Sequence, residues 1–247
     1  METEFLIVFT LVILISSFIH GSIGFGFGLI STPVVALFTD IQTTITYIIV
    51  PTMIVNLVSI LSEGKFFEAL RKFWFIILLM VIGSCVGTYI LVYFNSEYFK
   101  LLLAFIIFAY LIQSAIKVRA SFISSYPRSS TYGLGLIGGL VSGLTNVVAP
   151  LTIMYTLELK YSKKDTIQLS NLCFLFTKVG QIATFLYFGA FSSTAVEISF
   201  ASMFLVAIGL YFGIKIKKKI DAKFYAKILK ALLFIIAVVL VVQTLAV

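Results

Sequence analysis

Of the 247 residues, 61% are apolar and only 11% are charged, and the mean hydropathy is +1.14. A soluble domain carries about 25% charged residues, so this chain lacks the polar surface to coat a globule in water and reads as an integral, all-α membrane protein. The formal charge of +8 comes mostly from loop lysines and arginines, so it says little about substrate, and no nucleic-acid partner is expected.

The chain opens on the acidic stretch Met1-Glu2-Thr3-Glu4, without the basic start or small-residue cleavage site of a removed signal peptide. The apolar segments then fall at 4–38, 44–61, 73–93, 99–116, 132–157, 167–190, 198–214 and 226–246. A spanning helix needs about 20 residues, roughly 17–25. Six segments fit that window; 4–38 and 132–157 exceed it. The first long segment is broken by His20-Gly21-Ser22-Ile23-Gly24-Phe25-Gly26-Phe27-Gly28, whose glycine spacing suits interruption of a helix better than plain packing. The second carries Gly138-Gly139-Leu140-Val141-Ser142-Gly143-Leu144-Thr145-Asn146.

The chain repeats. An offset of 117 places Gly21 on Gly138, Gly26 on Gly143 and Pro33 on Pro150. Further on, an offset of 125 places Asp40 on Asp165 and Asn56 on Gln181, and an offset of 126 pairs Gly83 and Gly87 with Gly209 and Gly213. This divides the chain into a first repeat over 1–120, an inter-repeat loop over 121–131 and a second repeat over 132–247. Basic residues decide the topology, because short cytoplasmic loops carry the Lys and Arg excess. If both long segments turn back as hairpins, fifteen basic residues share one side against Lys100 alone; if they cross once, the split is ten to six. Each half is therefore read as a broken helix or helical hairpin followed by three crossings. An odd number of crossings makes the repeats inverted and places both termini outside the cytoplasm.

In such proteins, discontinuous helices build a site near the midplane, where exposed helix N-termini attract anions. Backbone amides at Gly24, Gly26 and Gly28, with Ser22 beside them, are candidate donors at the first tip; Ser142, Gly143, Thr145 and Asn146 are their counterparts at the second. Lys178 lies roughly 16–18 Å from either end of its segment, too deep for its stem to reach water. All ten carboxylates sit in loops or at segment ends, so an anionic substrate would supply the missing charge. Asn56, Gln181 and Asn171 are further polar candidates at depth. His20 is the only histidine and is a candidate proton carrier or anion contact. Cys85 and Cys173 fall in apolar segments and read as buried hydrophobes. No metal set and no cofactor motif is expected, and one histidine without an intramembrane carboxylate argues against an enzyme.

The Gly-x-Gly-x-Gly run followed by Ser31-Thr32-Pro33, the Gly-Gly-x-x-Ser-Gly-x-x-Asn-x-x-x-Pro run at 138–150, the length and the two-copy organisation together resemble the TauE/SafE family of sulfite exporters. The second run departs from the fuller glycine pattern of many members at Thr145-Asn146. The resemblance implies a prokaryotic multi-pass transporter in the cell membrane, moving sulfite, sulfoacetate or a related small sulfur-containing or organic anion by alternating access. Its partners would be that anion, the lipid bilayer and a coupling proton or ion, and it leaves room for an oligomer. An anion channel of the same architecture is the nearest alternative reading, and a membrane-embedded enzyme a more distant one.

Overall fold

The computed structural model describes residues 3–94, 97–116, 121–217 and 222–245. These residues form eleven helices: α1 Thr3–Ile23, α2 Phe27–Val35, α3 Ile41–Glu63, α4 Phe66–Tyr93, α5 Glu97–Ile116, α6 Ser121–Ser125, α7 Pro127–Thr145, α8 Ala149–Glu158, α9 Lys163–Tyr187, α10 Ser193–Ile216 and α11 Ala222–Leu245. Strands are absent among the described residues, and α1, α3, α4, α5, α9 and α10 are each long and apolar enough to cross a membrane. Helices are expected here, because only they satisfy every backbone polar group within a single apolar segment.

Helix ends depart from the apolar windows in a consistent way. The helix expected from residue 73 starts at Phe66, and the one expected from 226 starts at Ala222. The stretch 121–131, expected as a loop, contains α6 and the first turn of α7, which Pro127 opens with its fixed φ. In each case charged or hydroxyl residues interrupt the start of the helix, Glu68, Arg71 and Lys72 in α4, Lys223 in α11 and Arg128 to Ser130 in α7, and an apolar window begins only after them.

Contacts give the chain directions. Phe5 and Phe9 pack on Tyr47, and His20 bonds Ser59, so α1 and α3 run the same way and the chain reverses between them through α2. Val50 and Glu63 of α3 meet Ser199 of α10 and Lys217, the residue that follows its end, so α10 joins that set. Lys72 and Ser84 of α4 meet Asp165 and Thr177 of α9, and the glycine contacts of α4 with α7 also advance together. The second set, α4, α7 and α9, opposes the first: Gln168 at the start of α9 donates to the Gly64 carbonyl at the end of α3. Ends of the first set and starts of the second therefore share one end of the molecule. Lys65, Lys72, Arg128, Lys163, Lys164, Lys215 and Lys217 gather there, while Lys100, 3.4 Å from Glu97, lies beyond the far end of α4. Lys117, Arg119, Lys218 and Lys219 of the basic count fall outside the described residues.

Two glycine-lined interfaces have the same construction. A Cβ on Gly83 would meet Leu136, Gly139 and Leu140; one on Gly209 would meet Leu14, Ser17 and Phe18. Gly87 faces Leu140 and Gly143; Gly213 faces Phe18 and Gly21. Backbones touch at these points, and no other residue would fit. The matches set the register: α10 follows α4 at an offset of 126, and α7 follows α1 at 122, so Gly21 corresponds to Gly143. The caps of α3 and α9 agree, with Asp40 accepting from the N–H of Thr43 and Ser162 from that of Asp165. The contacts and caps of α1, α3, α7 and α9 thus recur at an offset of 122, at which Asn56 stands level with Lys178 and Ser59 with Gln181, in place of the offsets of 117 and 125 expected from the sequence. Glycine-on-glycine matching misled because Gly21/Gly26 and Gly138/Gly143 share a five-residue spacing by composition, whereas the register follows helix crossings.

Candidate functional site

Of the four glycines in the first tip, two make the break and two pack. Gly24 and Gly26 have φ of 97° and 113°, in the region open to glycine but rarely to other residues. Gly21 instead lies against the α10 backbone at Leu210 and Ile214, and Gly28 against the Asn146 carbonyl, 3.1 Å from where its Cβ would be. Gly24 was expected to offer a free amide. Its N–H is used: it donates to the His20 carbonyl at 2.7 Å, closing the last turn of α1.

His20 fixes the tip. The backbone N–H of Phe27, first residue of α2, donates to His20 Nδ1 at 3.3 Å, and Nε2 lies 2.8 Å from Ser59 Oγ. Because Nδ1 accepts, the ring hydrogen resides on Nε2 and is donated to Ser59. A buried imidazole that accepts at Nδ1 thus ties α1, α2 and α3 together and caps the first residue of α2. Asn171 Nδ2 donates to the Gly24 carbonyl at 2.7 Å and so joins α9 to the same tip.

The second break has the same shape with different parts. Asn146, equivalent to Gly24 in the corrected register, has φ of 60°, and its N–H donates to the Ser142 carbonyl. Asn tolerates this conformation better than other side chains. Val147 N–H donates to Thr145 Oγ1 at 3.4 Å, and α8 then starts with Pro150 in its first turn. Asn146 Nδ2 donates to Thr32 Oγ1 of α2 at 2.7 Å, so the two breaks touch.

One face of α9 passes both. Ile167, Asn171, Phe174, Lys178 and Gln181 recur at the helical period. Ile167 and Asn171 contact Gly24, and Gln181 Nε2 donates to the Gly143 carbonyl at 3.1 Å. Between them Lys178, fully buried, donates to Gln181 Oε1. Gln181 thereby bridges the ammonium to the carbonyls at the end of α7, the negative end of that helix. No carboxylate lies within ion-pair distance of Lys178 among the described residues.

A narrow cleft opens beside the first break, lined by His20, residues 25–29, Thr52, Asn56, Ala149 and Phe174. The starts of α2 and α8 both face it, and it has room for about one water. Gly26, Gly28, Asn56 and His20 meet there. Ser22 does not: it donates to the Phe18 and Gly213 carbonyls, facing α10. The hydroxyls of Ser142 and Thr145 are turned to Thr177 and to the Val141 carbonyl. Thr52, Ser59 and Phe174 complete the constellation without having been singled out by sequence, as does Thr32, which the sequence marks as part of the family run but not as a site residue. For Thr32 the signal was present, since it stands one helical turn after Gly28. Groups of three His, Cys, Asp or Glu able to hold a metal do not occur among the described residues.

Curated proteins and solved structures give no match to the chain. The family model described as sulfite exporter TauE/SafE matches residues 9–240, nearly the whole length and both breaks. With its multi-pass helical architecture, the chain belongs to the sulfite exporter TauE/SafE family.

Proposed function

We propose that the protein is a secondary transporter of a small sulfur-containing or organic anion, such as sulfite or sulfoacetate, built from two inverted copies that meet at the paired breaks. Family membership supports a membrane anion exporter. The opposed helix sets and their recurring contacts support two inverted copies. The basic end would face the cytoplasm and both termini the other side of a prokaryotic cell membrane.

The observation that carries this reading is the α9 face: a fully buried lysine without a carboxylate partner, between two helix breaks. A buried ammonium is costly unless paired; Lys178 does not itself line the cleft but stands one helical turn beyond Phe174, which does, so an anion taken in between the α2 and α8 N-termini as the breaks part would complete it. The cleft is too small for a four-atom oxyanion as it stands, so the breaks must part for passage, which favours alternating access over an open pore. The test is uptake of sulfite into proteoliposomes by wild type and Lys178→Met, a change that keeps the buried volume. Saturable flux in wild type and a loss of roughly a hundredfold or more in the variant is expected, corresponding to about 3 kcal/mol. Normal flux in a folded Lys178→Met protein would remove the anion site from this location.

A further inference from the structure

We infer that the site carries its substrate as a monoanion and rejects dianions. This rests on the transporter reading above, and its ground is a count of charge in the interior. Lys178 is the one fully buried lysine or arginine among the described residues. Two-fold repetition does not supply a second, because the position equivalent to Lys178 in the first half is Asn56, an amide that lines the cleft and donates to the Thr52 carbonyl. His20, the other buried basic side chain, is held neutral by its bonding: its Nδ1 is occupied by the Phe27 N–H and has no room for a proton.

Helix ends do not change the sum. Each break exposes the positive end of the helix that starts there and the negative end of the helix that stops there, so their half-charges largely cancel. Backbone amides at the start of α2 can bind an oxyanion's oxygens without adding net charge. One lysine therefore balances one negative charge. A second charge would enter a low-dielectric interior unpaired, which costs far more than the hydrogen bonds there can return. The substrate class is thus a singly charged oxyanion, a monosulfonate or sulfite in its hydrogen sulfite form; of the two anions named above, the rule keeps sulfite and excludes sulfoacetate wherever its carboxylate is ionised.

The test compares three anions in proteoliposomes holding the full-length protein, from mildly acid to mildly alkaline buffer. Methanesulfonate stays a monoanion throughout, sulfate stays a dianion, and sulfite passes from one to the other. Methanesulfonate also reports any titration of the protein itself, so the quantity to read is the ratio of sulfite to methanesulfonate flux. That ratio should follow the hydrogen sulfite fraction, falling roughly tenfold per pH unit once the dianion predominates, with sulfate near background. A flat ratio, or sulfate flux comparable with that of methanesulfonate, would overturn the charge rule while leaving the transporter reading intact. Absence of flux for all three anions at every pH would contradict the transporter reading, and the charge rule with it.

Discussion

The two breaks share a shape and differ in chemistry. At the first, two glycines at positive φ make the turn and a neutral histidine bridges α1, α2 and Ser59. At the second, Asn146 makes the turn, and the positions equivalent to His20, Asn56 and Ser59 hold Ser142, Lys178 and Gln181. Meanwhile the packing that supports them is matched residue for residue, with Gly83 and Gly87 on one side mirrored by Gly209 and Gly213 on the other. Close backbone contact tolerates only glycine, so the two packing interfaces match; on the proposed reading, a substrate with one charged end would account for the unlike linings of the two breaks.

The sharpest way to break the comparison is to move the charge. Lys178→Asn should lower sulfite flux roughly a hundredfold or more. Adding Asn56→Lys to that variant places the cation at the equivalent position of the other half and should recover part of the flux; no recovery in a folded double variant would mean that the halves are not interchangeable at this depth. Next in size are the packing glycines. Gly87→Val and Gly213→Val each drive a side chain into a backbone carbonyl, of Leu140 and Phe18 respectively. Losses of about 1–3 kcal/mol or more are expected from both, read as similar drops in thermal unfolding temperature in detergent. A loss from one alone would end the equivalence of the two interfaces.

Smaller effects should separate the breaks. His20→Leu leaves the Phe27 N–H and the Ser59 hydroxyl without their partner and should cost about 1–3 kcal/mol. Ser142→Ala should cost under about 1 kcal/mol, since Gln181 bonds the Ser142 carbonyl and the hydroxyl makes only a 3.5 Å contact with Thr177. Thermal unfolding of the two variants side by side measures the difference, and equal losses would show that His20 is not the cap described.

The membrane class, the two interrupted segments and the depth of Lys178 were legible in sequence because each is a matter of hydropathy and counting. The register was not. Glycine does two jobs here, breaking helices at Gly24 and Gly26 and admitting a neighbouring backbone at Gly21 and Gly28, and one letter cannot say which. For the same reason Ser22, next to the tip in sequence, faces α10. Lys178 was visible as a charge without a partner, but its bond to Gln181 and the link onward to the end of α7 depend on two helices crossing at one place. His20 is a candidate proton or anion contact by residue type alone, whereas its bonds to the Phe27 N–H and to Ser59 depend on three helices meeting at one place.

The central claim is that the two breaks meet and must separate for an anion to pass. Thr32 and Asn146, joined by a 2.7 Å hydrogen bond, are the place to test it. In a background with Cys85 and Cys173 replaced by serine, Thr32→Cys and Asn146→Cys together should form an intramolecular disulfide on mild oxidation. Methanesulfonate flux should then stop, and return when the bond is reduced. Failure of the pair to cross-link, or undiminished flux through the cross-linked protein, would contradict the account.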